Sequence, residues 1–166
     1  MADGRPIFDY TSSAPWAQVV EAYGDAEDVN RAIRDMVAEG QTKDECWEAI
    51  WDHEVRRFET DGAFRDAVKR IYEAAGVNLL SVTPWTHEST VSERTGQRRD
   101  LARWQARFDA ADWLRKVRSP AEARQVASDG DVGIVLNTQN VGAAIQGSLD
   151  RIDVLYDEGV RIFQLT

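Results

Sequence analysis

Residues 127–138 read ASDGDVGIVLNT, which is a helix end, a glycine and then a short apolar strand that closes on threonine. The same unit recurs as EAAGVNLLSVT at residues 73–83 and as YDEGVRIFQLT at residues 156–166. Each glycine can adopt the left-handed conformation that ends a helix. Each apolar run is typical of a parallel strand that is covered on both faces. The sequence therefore predicts strands at residues 77–83, 131–138 and 160–166.

Further elements follow from shorter signals. Pro6–Asp9 is predicted to be a fourth, weaker strand near the start of the chain. Hydroxyl and glutamate side chains three residues apart, as in a capping box, predict where helices begin. These pairs are Thr42 with Glu45, Thr90 with Glu93, and Ser119 with Glu122, the last followed by Pro120 at the first helical position.

Strands that alternate with helices predict an α/β fold with a parallel sheet, either a doubly wound open sheet or part of a (β/α)8 barrel. The long interval from Asp9 to Val77 is expected to hold a helical insert at about residues 25–75. The chain stops at Thr166 on a predicted strand without a covering helix, and a barrel needs about 250 residues. We therefore expect residues 1–166 to be the N-terminal half of a single barrel domain, with about four βα units.

Four apolar stripes recur at helical spacing, and their aromatic residues are predicted to pack in the core. The stripes are Trp47, Trp51, Val55 and Phe58; Phe64, Val68, Ile71 and Tyr72; Leu101, Trp104, Phe108, Ala111 and Leu114; and Leu149, Ile152, Leu155 and Tyr156. The positive run from Arg94 to Arg107 is predicted to be a solvated helix face, because Asp100 and Asp109 interrupt it. His53 is predicted to be exposed, on the side opposite the first stripe.

The composition excludes several classes of function. The formal charge is −9, from 20 Lys and Arg against 29 Asp and Glu. This balance argues against nucleic acid and against an anionic membrane surface as partners, because both need clustered cations. A single cysteine, Cys46, excludes an internal disulfide and a cysteine-based metal cluster. No membrane-spanning run or signal peptide is recognised, so a soluble, cytoplasmic protein is expected.

In parallel α/β proteins, reactive groups lie beyond the carboxyl ends of the strands. This rule selects residues 9–16, 84–89 and 139–142. His87 and Glu88 are the strongest catalytic candidates, because histidine titrates near neutral pH and a neighbouring carboxylate can orient it. Ser13 is better explained as the cap of a helix that starts at Pro15. The chain has no glycine-rich phosphate loop and no nucleophile elbow.

The residues from Asp131 to Asn140 and from Leu149 to Thr166 resemble the membrane (renal) dipeptidase family. The most specific part is a helix followed by Gly-Val-Arg and a strand that ends in Leu-Thr; Pro6–Asp9 is also similar to the family's first strand. The resemblance implies an amidohydrolase-like (β/α)8 barrel that hydrolyses dipeptides with two zinc ions. It covers both ends of the chain well and the helical insert poorly.

Three positions depart from the family pattern. Thr11 and Ser13 stand where the family has a histidine and an aspartate that bind zinc, and Gln139 stands where it has the bridging glutamate. Hydroxyls and an amide cannot supply the donors of a dizinc site, so no metal ligand is assigned here and zinc is doubtful. Divergent family members resemble this chain in having Gln-Asn after the third strand and His-Glu after the second. This similarity implies altered or lost metal chemistry.

The resemblance implies a divergent dipeptidase-like hydrolase for small peptides or amides, present as a partial chain that is expected to be inactive. Its substrate pocket is expected to include Thr11, Ser13, Trp16, Gln139 and Asn140, beside the catalytic candidates. Two alternatives are a non-catalytic barrel that binds a small molecule and an unrelated small α/β binding module. The expected partner is a small molecule or dipeptide, and a homo-oligomer is compatible with the full-length protein.

Overall fold

A computed structural model describes residues 7–12, 16–84, 93–139, 141, 145 and 147–164. The strands are β1 (Ile7–Ser12), β2 (Val77–Val82), β3 (Leu114–Lys116), β4 (Val132–Thr138) and β5 (Val160–Phe163). The helices are α1 (Trp16–Tyr23), α2 (Ala26–Ala38), α3 (Lys43–Thr60), α4 (Gly62–Ala75), α5 (Glu93–Ala110), α6 (Pro120–Asp129) and α7 (Asp150–Asp157). The chain is therefore a mixed α/β protein, as the alternation of strands and helices predicted.

All the strand pairs of the sheet are parallel. β1 pairs with β2, and β2 pairs with β4. The other edge of β4 is shared, because β3 pairs with its first half at Val132–Ile134 and β5 with its second half at Leu136–Thr138. The longer strands therefore follow one another across the sheet in chain order, from β1 through β2 and β4 to β5.

Alternate residues of a strand point to opposite faces of the sheet. On one face, the apolar side chains of β2 and β4 join the main core with helices α3, α4, α5 and α7. Its members include Leu80, Val82, Ile134, Leu136, Phe58, Phe64, Val68, Tyr72, Trp104 and Leu155. On the other face, a Cβ added to Gly133 would lie 2.6 Å from Leu79, 2.8 Å from Val117 and 3.2 Å from Val126 of α6. Helix α6 therefore covers the amino-terminal half of that second face.

The helix ends confirm the local sequence signals. Thr42 forms a complete capping box with Glu45 at the start of α3, and Ser119 caps α6 with Pro120 in its first turn. Gly76 and Gly130 end α4 and α6 with φ of 67° and 76°, which is the left-handed conformation expected of them. The third predicted box starts at Thr90, outside the described residues.

Helices α1 to α4 occupy residues 16–75, between β1 and β2. They have a second apolar cluster of their own, centred on Val19, Val29 and Ile50, one from each of the first three helices. Trp47 and Trp51 pack against this cluster, as their spacing on α3 predicted. The helices between β1 and β2 thus have internal packing in addition to their contacts with the main core.

Two predictions about apolar stripes are wrong in part. Helix α5 ends at Ala110, and Leu114 begins β3, a strand of three residues that helical periodicity concealed. In the last stripe Leu155 is buried, but Leu149 is 72% exposed and Tyr156 is 51% exposed. The Tyr156 ring is covered instead by the guanidinium of Arg161, 3.7 Å from its centroid.

The prediction of a solvated arginine face on α5 is wrong for its second half. Arg103 is 7% exposed and Arg107 is 2% exposed, because carboxylates of α3 face them. His53 is also not exposed as predicted; it is half-buried, with its ring 4.7 Å from that of Tyr23. Burial of the two arginines depends on α3 lying against α5, and the contact of His53 depends on α1 lying against α3. Local spacing does not encode either of these contacts.

Within the described part of the chain, no helix combines the length and the apolar character of a membrane span.

Candidate functional site at the carboxyl edge

The carboxyl ends of the strands form one edge of the sheet, here called the carboxyl edge. Ser81 in β2 pairs with Val135 in β4, so Thr83 lies opposite Asn137, two residues further along the chain in each case. Ser81, Thr83 and Asn137 therefore share one face of the sheet. Helix α6 packs on the same face nearer the amino ends of the strands, next to apolar residues that include Leu79. The three polar residues lie nearer the carboxyl ends.

A directional chain of hydrogen bonds joins the three side chains. Thr83 Oγ1 donates to Asn137 Oδ1 over 2.5 Å, and Asn137 Nδ2 donates to Ser81 Oγ over 2.8 Å. Ser81 and Asn137 are buried, and Thr83 is half-buried. Burying such groups is tolerated only when they are hydrogen-bonded, as they are here. The Thr83–Asn137–Ser81 chain is thus an ordered, electrically neutral group of donors and acceptors.

Of the predicted pocket residues that are described, Thr11 and Gln139 lie at this edge. Thr11 is the penultimate residue of β1, whose last residue Ser12 pairs with Val82. Gln139 follows β4 directly and is exposed, and its carbonyl accepts a hydrogen bond from Thr138 over 3.0 Å. Trp16 begins α1 and is 41% exposed. The remaining candidates, His87, Glu88, Ser13 and Asn140, lie outside the described residues.

The described residues at the carboxyl edge do not fit a zinc centre. Zinc sites in proteins use imidazole, thiolate and carboxylate ligands. Thr11 and Gln139 offer a hydroxyl and an amide instead, as do the three members of the hydrogen-bond chain. Within the described ranges, no three His, Cys, Asp or Glu side chains are grouped as a metal site would require.

Sequence reasoning missed the hydrogen-bond chain because it looked only at residues beyond the strand ends. A signal was present: Ser81 and Asn137 interrupt apolar strands near their carboxyl ends. A buried polar residue in such a strand needs a partner. Two of them in neighbouring parallel strands predict that the partner is across the sheet.

An aromatic row runs from the start of α1 along α3. The Trp16 ring is 6.0 Å from the Trp47 ring, which in turn is 5.9 Å from the Trp51 ring. Trp47 and Trp51 are half-buried against the second apolar cluster, whereas Trp16 has the greatest exposure of the three. The row therefore holds Trp16 from one side and leaves part of its surface in solvent.

A second polar cluster lies in the helical layer, away from the carboxyl edge. Arg107 Nε of α5 is 3.0 Å from Glu54 Oε2 of α3, and its Nη2 also donates to that oxygen. Nearby, Gln18 Nε2 donates to Tyr72 Oη over 2.7 Å, and burial raises the pKa of Tyr72 to about 12. Apart from Gln18 Oε1, which has no hydrogen-bond partner in the described part of the chain, these groups bond to one another and hold the helices together.

The ion pairs continue along α3 and α5. Arg103 donates through Nη2 to Glu48 Oε2 at 2.7 Å and to Asp52 Oδ1 at 2.6 Å, and through Nη1 to Asp100 Oδ1 at 2.8 Å. Burial raises the pKa of Asp100 in spite of this bond from Arg103. Three carboxylates thus converge on one buried guanidinium.

No protein-family model matches the chain, and no curated protein matches it. The resemblance to membrane dipeptidases stays a prediction from the sequence.

Proposed function

We propose that this chain is part of a divergent, dipeptidase-like (β/α)8 barrel that binds a small peptide or amide at the carboxyl edge. The observation that carries the proposal is the Thr83–Asn137–Ser81 chain at the ends of two neighbouring parallel strands. In barrels and in open parallel sheets alike, ligands bind at this edge.

The strand order supports a barrel over a doubly wound sheet. A doubly wound sheet reverses its strand order at one point, where its ligand binds. Here the longer strands β1, β2, β4 and β5 lie side by side in chain order and run parallel, and the three-residue strand β3 is out of order, on the outer edge of β4. The polar chain lies on the face opposite the main core, beyond the part of that face that α6 covers.

The chemistry of the edge supports a neutral, amide-like ligand. A peptide group carries one N–H donor and one carbonyl acceptor, which hydroxyl and side-chain amide groups can match. A charged group without a partner of opposite charge would lose its hydration at a much greater free-energy cost, so the charged termini of a dipeptide are expected to stay in solvent. The described groups therefore favour binding of a small amide or dipeptide through its peptide group.

Hydrolysis is the second candidate, and the observation that favours it is the His87–Glu88 pair in the segment that follows β2 in the sequence. Peptide hydrolysis needs an activated water and a proton donor for the leaving amine. The hydroxyls and amides of the described edge cannot act as a general base near neutral pH. A cleavage activity would thus depend on His87 and Glu88.

The test is a titration of the chain with glycylglycine, followed by the chemical shifts of backbone amides. We expect saturable shifts at β2 and β4. Thr83→Val removes one hydroxyl at constant shape, and Asn137→Leu removes the central amide; each should weaken binding about fivefold to tenfold, the loss of about one hydrogen bond. Gln125→Leu, which removes an exposed amide on α6, is the matched control and should bind normally.

Two results would count against the proposal: no saturable shifts in the parent chain, or equal effects of Thr83→Val and Gln125→Leu. Chromatography of the same samples separates the two functions. Release of free glycine that is lost in His87→Gln identifies a hydrolase, whereas intact dipeptide identifies a binding protein.

A further inference from the structure

We infer that Thr83, the accessible end of the Thr83–Asn137–Ser81 chain, accepts a hydrogen bond from the ligand and thereby selects peptide groups that have a free N–H. Amides with a substituted nitrogen, as in a dipeptide whose second residue is proline or sarcosine, have no such hydrogen, and neither do esters. This inference rests on the proposed function, because it assigns a chemical class to the same ligand.

Burial decides which member of the chain can touch a ligand. Ser81 is fully buried and Asn137 is 2% exposed. Thr83, which directly follows β2, is half-buried, so it is the member that solvent reaches. A ligand at the carboxyl edge therefore meets the Thr83 hydroxyl, and the other two side chains act on the ligand only through that hydroxyl.

Two distances fix the orientation of the Asn137 amide. Hydrogen bonds from a hydroxyl to an oxygen are about 2.5–3.0 Å long, whereas those from nitrogen to oxygen are about 2.7–3.2 Å long. The contact with Thr83 Oγ1 is 2.5 Å, which fits the amide oxygen, and the contact with Ser81 Oγ is 2.8 Å, which fits the amide nitrogen. Asn137 Oδ1 thus faces Thr83, and Nδ2 faces Ser81.

This orientation determines what Thr83 can offer to a ligand. An amide oxygen only accepts hydrogen bonds, so the single hydroxyl hydrogen of Thr83 is committed to Asn137. The lone pairs of Thr83 Oγ1 remain, and none of the described residues donates a hydrogen bond to them. Donation to Asn137 also polarises the hydroxyl and strengthens it as an acceptor. A peptide N–H satisfies this oxygen, whereas a peptide carbonyl would bring a second acceptor to it.

The alternative is that the three side chains only tie β2 to β4. Such a link would hold the strands with the amide in either orientation, and it predicts equal binding of ligands with and without an N–H. Selectivity for the peptide hydrogen therefore distinguishes a binding role from a structural one.

The experiment compares three ligands on the whole chain, each followed by the chemical shifts of backbone amides. Glycylglycine has the peptide hydrogen, glycylsarcosine has a methyl group in its place, and glycylglycolic acid has an ester oxygen in place of the N–H. Loss of one hydrogen bond should weaken both analogues about fivefold to tenfold. The ester adds no bulk, so it separates the missing hydrogen from a steric effect of the methyl group. The charged termini are the same in all three ligands and cancel in the comparison.

Variants assign the preference to the Thr83 hydroxyl and to its orientation by Asn137. Thr83→Val should bind the three ligands alike, and Thr83→Ser, which keeps the hydroxyl, should keep the preference. Ser81→Ala removes the acceptor of Asn137 Nδ2, so the amide can turn over and the preference should fall to about twofold or less. Thr60→Val, which removes an exposed hydroxyl at the end of α3, is the matched control and should keep the preference in full.

The outcomes separate this inference from the proposed function. If glycylglycine binds and the ester binds as tightly, the inference is wrong and the proposed function stands. A preference that survives in Thr83→Val, or that stays complete in Ser81→Ala, also overturns the inference, because the selecting group would then lie elsewhere. If none of the three ligands binds the parent chain, the proposed function itself fails, and the inference fails with it.

Discussion

The buried ion pair between Glu54 and Arg107 allows a quantitative test of how α3 is held against α5. Glu54 is fully buried and Arg107 is 2% exposed. Replacing Glu54 by leucine leaves the guanidinium enclosed without its carboxylate, beside the Trp104 ring at 4.8 Å. Removal of one partner of a buried pair typically costs about 3–5 kcal/mol, a large part of the roughly 5–15 kcal/mol that stabilises a domain.

The measurement is urea unfolding followed by tryptophan fluorescence. With a slope of about 2 kcal/mol per molar urea, the Glu54→Leu midpoint should fall by about 1.5–2.5 M. The double variant Glu54→Leu with Arg107→Leu should recover most or all of this loss, because an apolar pair has no charge to desolvate. The exposed pair Glu27–Arg34 provides the control: Glu27→Gln should change stability by less than about 0.5 kcal/mol.

A loss of less than about 1 kcal/mol in the free energy of unfolding of Glu54→Leu would contradict a charge-desolvation cost, since an enclosed, unpaired charge must cost more than that. A double variant as unstable as the single one would contradict it equally. In that case packing volume, and not charge desolvation, would determine the cost.

Four further predictions concern three single positions. Burial raises the pKa of Asp100, so the folded state binds the carboxyl proton more tightly than the unfolded state does, and stability falls as pH rises through the raised pKa. Asp100→Asn should therefore reduce the change of the urea midpoint between about pH 3 and pH 7. Burial also raises the pKa of Tyr72 to about 12, so its absorbance should change at a higher pH than that of a free tyrosine, with stability declining from about pH 10 upwards. Tyr72→Phe should lose about 1–3 kcal/mol in the same assay, because the Gln18 amide is left without its partner. Gly133→Ala should cost about 1–3 kcal/mol by overpacking, since its methyl group would lie 2.6 Å and 2.8 Å from two side chains, and an unchanged melting temperature would contradict this.

The sequence predicted those parts of the fold that depend on neighbouring residues. The helix stops at Gly76 and Gly130, the caps at Thr42 and Ser119, and the apolar strands after the glycines are all local signals, and the structure confirms them. Strand β3 was not predicted, because its three residues are too few to show a strand pattern and they follow a helical periodicity.

The buried arginines could not be predicted in the same way. Arg103 and Arg107 have the spacing of a solvated helix face, and only the carboxylates of α3, some 50 residues earlier, make their burial favourable. The candidate site was likewise predictable only in part. The carboxyl edge followed from the parallel strands, but the link between Asn137 and Thr83 depends on the register of β2 against β4.

The apolar cluster that α1, α2 and α3 share has a consequence for how the chain folds. Pairing Ile7 with Val77 closes a loop of about 70 residues, and such a closure is slow when the intervening chain is unstructured. Helices that collapse first around Val19, Val29 and Ile50 shorten the distance that the two strands must search. During synthesis this helical unit emerges before β2 does, so it can serve as a folding nucleus that brings β1 into position to receive its partner.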